Sequence, residues 1–215
     1  MADFKMLLGA GPEKGVASTK VFTAMVSNFI YGAYALTGNV NGGKNVLLST
    51  AASSEYVLGD ESVAKIKKLA ANLKDKQDIY VIGRGLSFPT SLETALKIKE
   101  ISYIHAEGMP AGELKHGPLA LIEVGTPCIV FLPNDETHGA NLAGAMEMKA
   151  RGGYIIGISH ENHEVFDFFI EVPDAKEGAI IPNTIVGQLL AYYLTIEKGL
   201  DPDMPRNLAK SVTVK

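Results

Sequence analysis

Glu93, Lys97 and Glu100 lie in "LETALKIKEIS", and at 100° per residue they form one polar stripe on a helix otherwise built from Leu92, Ala95, Leu96, Ile98 and Ile101. A carboxylate beside an ammonium can remove and return a proton while the cation holds the negative charge that develops. In that chemistry Glu100 is the base and Lys97 the stabiliser. The same spacing also fits an i,i+4 Glu–Lys pair on a solvated face, worth a few tenths of a kcal/mol. A second acid–base pair, Glu113 and His116, falls in "GMPAGELKHGPLALIEVGTP". This stretch reads as a surface loop from Gly108 to Pro127, feeding the apolar strand "PCIVFLP". His105 and His116 flank the helix, and a lone histidine is more often structural than catalytic.

Three further stretches carry weaker signals. In "IGRGLSFPTS", Gly83, Gly85 and Ser87 follow a strand and open a helix, which suits a phosphate but equally a simple tight turn. In "VASTK", Ser18 and Thr19 stand at a helix start, where capping and the binding of an anion or sugar hydroxyl compete. Lys210 sits in the tail "LDPDMPRNLAKSVTVK", which has no apolar periodicity, and by itself reads as a solvated lysine.

The elements that position these residues follow from the hydrophobic pattern. "KMLL", residues 5–8, predicts a short strand, and Val16 to Leu36 an apolar helix. Residues 37–60, with "TGNVNGGKN", read as a connector, and Val63, Ile66, Leu69, Ala70 and Leu73 share a helical face. From Asp78 the chain alternates: strand "IYVIG", helix Thr90–Ile104, strand "PCIVFLP", helix Ala140–Ala150, strands "YIIGIS" and "FFIEV", helix Thr184–Glu197. Such alternation predicts a parallel sheet with helices on both faces. Pro182 and Gly199 mark the ends of the last helix.

Composition narrows the function classes. The 215 residues are 47% hydrophobic with a net charge of −4, enough for a core and without the basic field that nucleic acid or an anionic membrane demands. Cys128 is the single cysteine, so no internal disulfide forms and no cysteine pair binds zinc. No signal-peptide pattern opens the chain, and the apolar run Ile185–Ile196 is interrupted by Gly, Gln, Tyr and Thr. A cytoplasmic protein with no membrane or nucleic-acid partner is the expectation.

"AGPEKGVASTKVFT", "ALKIKEISYIHAEGMPAGELKHGPLALI" and "DPDMPRNLAKSVTVK" together resemble the isomerase part of the glutamine:fructose-6-phosphate aminotransferases, the glucosamine-6-phosphate synthase family. The resemblance spans nearly the whole chain and is weakest between Asn39 and Asp60. It implies a flavodoxin-like three-layer αβα sandwich with a parallel sheet, a sugar isomerase (SIS) domain, preceded by the trailing strand and helix of a first SIS domain. Residues 1–60 are then the remnant of that first domain plus a connector, 61–200 the second SIS domain and 201–215 an active-site tail.

The implied activity is conversion of fructose 6-phosphate and ammonia to glucosamine 6-phosphate, toward UDP-N-acetylglucosamine, in a homodimer that needs no metal and no cofactor. Matched by motif, Glu100 moves a proton between C1 and C2, and Lys97 lies beside the enolamine. His116 assists ring opening from the neighbouring subunit, and Lys210 forms an imine with the open-chain sugar. Val16, Ala17 and Ser18 line the sugar. The family's glutaminase half and the phosphate loop of its first SIS domain are missing, so the chain is expected to be part of a synthase. "LLSTAASSEY" has a phosphate loop's composition without its context. Two rivals stand beside this reading: a non-catalytic SIS module that senses a sugar phosphate, and a fragment whose site cannot close. The module predicts loss of Glu100 or Lys210, and both are present.

Overall fold

Runs of β-branched residues bury well on both faces of a sheet only when helices cover each side, and that is how the chain folds. The computed structural model describes residues 5–211. Its five strands are β1 (Asp78–Gly83), β2 (His105–Pro110), β3 (Pro127–Leu132), β4 (Tyr154–Ser159) and β5 (Phe168–Glu171), all parallel in the order β2-β1-β3-β4-β5. This is the flavodoxin-like order. Asp78 pairs with His105, Tyr80 with Cys128 and Cys128 with Ile155.

The pleat sends alternate residues to opposite cores. Ile79, Val81, Ile129, Phe131, Ile156 and Ile158 pack under α3 (Asp60–Leu73), α4 (Ser87–Lys97) and α6 (Ile180–Glu197). Tyr80, Ile82, Cys128, Val130 and Leu132 pack under α5 (His138–Lys149) and the 3-10 segment Ala111–His116. Three layers result. The segment Lys176–Glu197 is long and apolar enough to cross a membrane by length and composition, but Val186, Leu190, Ala191 and Leu194 are fully buried in the first core. Their apolarity is accounted for by the sandwich.

Several expectations are corrected. Residues 5–8 form no strand. Nothing in the sheet lies beside them, Leu7 is 89% exposed, and a strand without a partner leaves its backbone groups unpaired. The first helix, α1 (Lys20–Leu36), starts four residues later than predicted, because Val16 turns its N–H to Asp203 O in the tail (3.1 Å).

The supposed connector is a 19-residue helix, α2 (Val40–Leu58). Asn39 caps it by accepting the Gly42 N–H at 3.0 Å, so the Asn–Gly signal marks a helix–helix turn. Gly43 lies where a Cβ would come within 2.8 Å of Tyr34 Cβ, which lets α1 and α2 approach closely. Beyond Gly43, the buried stripe of α2 is Val46, Thr50, Ser53 and Val57, and the two hydroxylated residues among these four hide the amphipathic pattern. "LLSTAASSEY" is mid-helix: Thr50 and Ser54 return their hydroxyls to helix carbonyls and Ser53 donates to Pro173 O, so it does not replace a phosphate loop.

The last helix begins at Ile180 rather than Thr184, with Pro182 in its first turn. The loop expected from Gly108 hides the end of β2, an edge strand in which His105 and Glu107 are exposed while Ala106 and Met109 are buried in opposite cores. Val212, at the tail's end, lies outside the described residues.

Candidate functional site

The helix carrying Glu93 and Lys97 does not run on to Ile104 as expected. It gives way after Lys97 to a π-helical turn, Ile98–Ser102, that holds Glu100, and Tyr103 ends it with a left-handed backbone, φ 60°. Single π-turns recur at functional sites because they re-aim side chains within an otherwise regular helix. Here the turn brings Glu100 Oε2 to 2.5 Å from Lys97 Nζ, while Glu93 Oε1 lies 3.5 Å from it. The Lys97 side chain is 3% exposed, against 10% for Glu93 and 23% for Glu100. The stripe is therefore a buried cation between two carboxylates, not a solvated face. Burial pushes the Glu93 carboxyl up from its ordinary value, opposed by the Lys97 ammonium and reinforced by the charge of Glu100.

Lys97 and Ile101 form one wall of a cleft of about 330 Å³, and Gln188 and Tyr192 of α6 continue it. The opposite wall is the turn before α1, with Glu13, Gly15, Ala17 and Thr19, together with Pro202 and Asp203 of the tail. Val16, Ala17 and Ser18 are half-buried in that turn. Lys210 reaches the same wall from the tail: its ammonium donates to Glu13 Oε2 at 2.9 Å and to Gly15 O at 2.8 Å.

Glu13 escaped sequence reasoning. Its other oxygen accepts the Thr19 N–H at 2.8 Å and the Val21 N–H at 3.4 Å, so this carboxylate caps α1, and neither Ser18 nor Thr19 does. Burial opposes its ionisation, but the Thr19 amide, the Lys210 ammonium and the Val21 amide outweigh that and bring the carboxyl down to about 2. A Glu seven residues ahead of a helix's first residue is not a standard capping signal.

His116 is not brought to this cleft. Its segment packs through Leu114 on the α5 side of the sheet, whereas Lys97 belongs to the α6 side. The imidazole is 70% exposed, with Nδ1 2.8 Å from Glu113 Oε2. His105 is likewise exposed, and its Nδ1 lies 2.7 Å from Asp78 Oδ1. Beyond the carboxyl ends of β1 and β3, the cleft where doubly wound folds commonly hold ligands is lined by Ser87, Asp135, Glu136, Lys176 and Glu177. Three acids against one lysine disfavour a phosphate there. Gly83 and Gly85 are explained by the turn: a Cβ on Gly83 would meet Ser87 O at 2.2 Å, and Gly85 has φ 57°. Among the described residues no cluster of His, Cys, Asp and Glu could hold a metal ion.

Comparison with known proteins finds relatives along the whole chain. The chain is 45% identical to a glutamine–fructose-6-phosphate aminotransferase (isomerizing) of Pyrococcus horikoshii and 43% identical to that of Thermococcus kodakarensis. Both alignments take in 100% of this chain and 37% of the relative, so the chain spans little more than a third of those proteins. Among solved structures, the C-terminal domain of glucosamine-fructose-6-phosphate aminotransferase from Francisella tularensis superposes with a TM-score of 0.77 at 35% identity, covering 92% of this chain and 58% of that one. The SIS domain model matches residues 72–198, from the end of α3 to just beyond α6 and thus the entire sheet, and the chain belongs to the SIS domain family.

Proposed function

We propose that this chain is the isomerase portion of a glutamine:fructose-6-phosphate aminotransferase, binding fructose 6-phosphate and carrying out ketose-to-aldose isomerisation with amination to glucosamine 6-phosphate. The observation that carries the reading is that Lys97, paired with Glu100 behind it, opens onto the same cleft as the turn that holds Lys210. Glu100 is the base that moves a proton between C1 and C2, and Lys97 offsets the charge of the enolate-like intermediate. Val16, Ala17 and Ser18 line the sugar. No cofactor is required for a proton shuttle of this kind. The cytoplasm is the proposed location.

Lys210 forms the imine. Its ammonium first gives a proton to solvent, to which the side chain is open, the freed amine attacks the C2 carbonyl, and the resulting carbinolamine loses water. Glu13, held at about 2, is a weak acceptor for that proton, so the lysine leaves Glu13 before it reacts. His116 serves the site of a second copy in a homodimer, since the sheet separates it from the cleft of its own chain.

The test uses the complete enzyme, meaning this sequence joined to the portion corresponding to the rest of its relatives. Borohydride added with fructose 6-phosphate should reduce a covalent adduct that peptide mapping places on Lys210, and Lys210→Arg should abolish it. An adduct on another lysine, with Lys210→Arg fully active, removes Lys210 from the reaction.

A further inference from the structure

The tail that carries Lys210 is tied to the rest of the chain at three places, and one of them has no part in the chemistry above. Asp203 O accepts the Val16 N–H, and Lys210 binds Glu13 and Gly15. Between these, the Arg206 N–H donates to the Tyr103 hydroxyl at 2.7 Å, and the Arg206 guanidinium lies 4.2 Å from the centroid of the Tyr103 ring. Tyr103 is the residue that ends the π-turn bearing Glu100, and its left-handed φ of 60° is unusual for a bulky side chain. Such a conformation persists only where surrounding contacts hold it. Ser102, immediately before it, closes the turn by donating to Ile98 O at 2.7 Å.

We propose that Tyr103 is a positioning residue, a latch whose hydroxyl and ring fix the tail at Arg206. The turn that aims Glu100 at Lys97 thereby also sets where Lys210 can reach. The two grips are separable. Tyr103→Phe removes the acceptor and keeps the ring, whereas Arg206→Ala removes the stacked cation and keeps the backbone N–H. The part played by Lys210 rests on the proposed function; the latch itself does not.

Hydrogen–deuterium exchange on this 215-residue chain tests the latch directly. Losing one hydrogen bond of ordinary strength should speed exchange of peptides spanning Pro205–Lys210 about fivefold in Tyr103→Phe. Loss of the stacked cation should give roughly two- to fivefold in Arg206→Ala. Peptides from α4 and the strands should be unchanged in both. Unaltered tail exchange in both variants overturns the latch, and so does an equal acceleration everywhere, which would mean that Tyr103 only supports the fold. Tyr103→Phe keeps nearly all the side chain's volume, so the test survives if Tyr103→Ala fails to fold.

In the complete enzyme, borohydride trapping at Lys210 should slow severalfold in both variants and recover when saturating sugar phosphate orders the tail, so the half-saturating concentration rises more than the maximal rate falls. Normal trapping at all concentrations in both variants would overturn the positioning role. If the unmutated enzyme forms no adduct at all, the proposed function fails while the exchange measurement still decides the latch.

Discussion

Replacing Lys97 by Met removes a buried ammonium, keeps most of its volume, and leaves Glu93 and Glu100 facing a site without a cation. The Lys97 side chain is only 3% exposed and Glu93 only 10%, so water cannot take over solvation of the stranded Glu93 carboxylate. Breaking a buried pair from one side costs about 3–5 kcal/mol. Glu100, 23% exposed, is partly relieved by solvent, which places the expected loss near the lower end, about 3 kcal/mol. For a chain of this length that lowers the thermal midpoint by roughly 6–12 °C. The loss also has a sign in pH. The Glu93 carboxyl is already raised by burial, and Lys97 is what pulls it back. Without Lys97 it rises further, so the folded state of the variant favours the proton. A raised acid contributes stability fully below its unfolded value of about 4.5, and the contribution fades as pH climbs through the folded value. Lys97→Met should therefore lie closest to the unmutated chain near pH 4.5 and fall furthest behind it at pH 8, measured by thermal melts across that range. A variant within about 1 kcal/mol of the unmutated chain at pH 8, or one that suffers more in acid, would refute the buried-triad reasoning.

Four further outcomes are expected. In the complete enzyme, Glu100→Gln should bind fructose 6-phosphate within severalfold of normal yet lose C1–C2 proton exchange, read as deuterium uptake from solvent; unchanged uptake would exclude Glu100 as the base. Mixing His116→Ala with Glu100→Gln subunits should restore activity, because one site of a mixed dimer carries neither lesion, and failure to do so despite subunit exchange would place His116 in its own chain's site. Glu13, depressed to about 2, should hold the 13–19 turn and Lys210 undisturbed above about pH 4.5 and release them as pH falls toward 2; in Glu13→Gln this acid transition, followed by tail hydrogen exchange, should vanish. Cys128 is fully buried and its thiol is pushed up to about 12, so a disulfide reagent should leave it unmodified in the folded chain and titrate one thiol in denaturant.

How much of this was legible in the sequence depended on how far apart the interacting residues lie. The central strands could be read because Ile79–Ile82, Cys128–Leu132 and Ile155–Ile158 are buried on both faces and so appear as unbroken apolar runs. β2 could not, since an edge strand tolerates Gly108, Pro110 and charged residues that elsewhere signal a loop. α2 was hidden by Thr50 and Ser53 on its buried stripe, where hydroxyls satisfied by Val46 O and Pro173 O stand in for apolar side chains. The Lys97–Glu100 pair was visible as a helical spacing, although the π-turn that makes it short was not. Glu13 and Tyr103 carried no local signal: their partners Lys210 and Arg206 are 197 and 103 residues away, and only the folded chain brings them together.

The same distances explain why the cleft depends on surfaces outside it. Its outer wall, residues 12–19, contains no helix or strand and is held by Glu13, by Asp203 and Lys210 of the tail, and by Gln188, whose side-chain amide donates to Thr19 O at 3.3 Å. The helix that follows, α1, has no buried residue among its 17 and leaves Phe29 76% and Leu36 91% exposed, with Leu7 nearby at 89%. Apolar surface of that kind on an isolated chain is unfavourable by about 25 cal/mol per Å² relative to burial, and contiguous patches of it mark contact surfaces. Anything that covers α1 also braces the turn at its N-terminus, and through Glu13 that turn holds Lys210. Rigidity of the residue 12–19 wall should therefore respond to occupancy of the exposed apolar surface of the same helix, whereas the wall made by Lys97 and Ile101, built into the core beside α6, needs no such support.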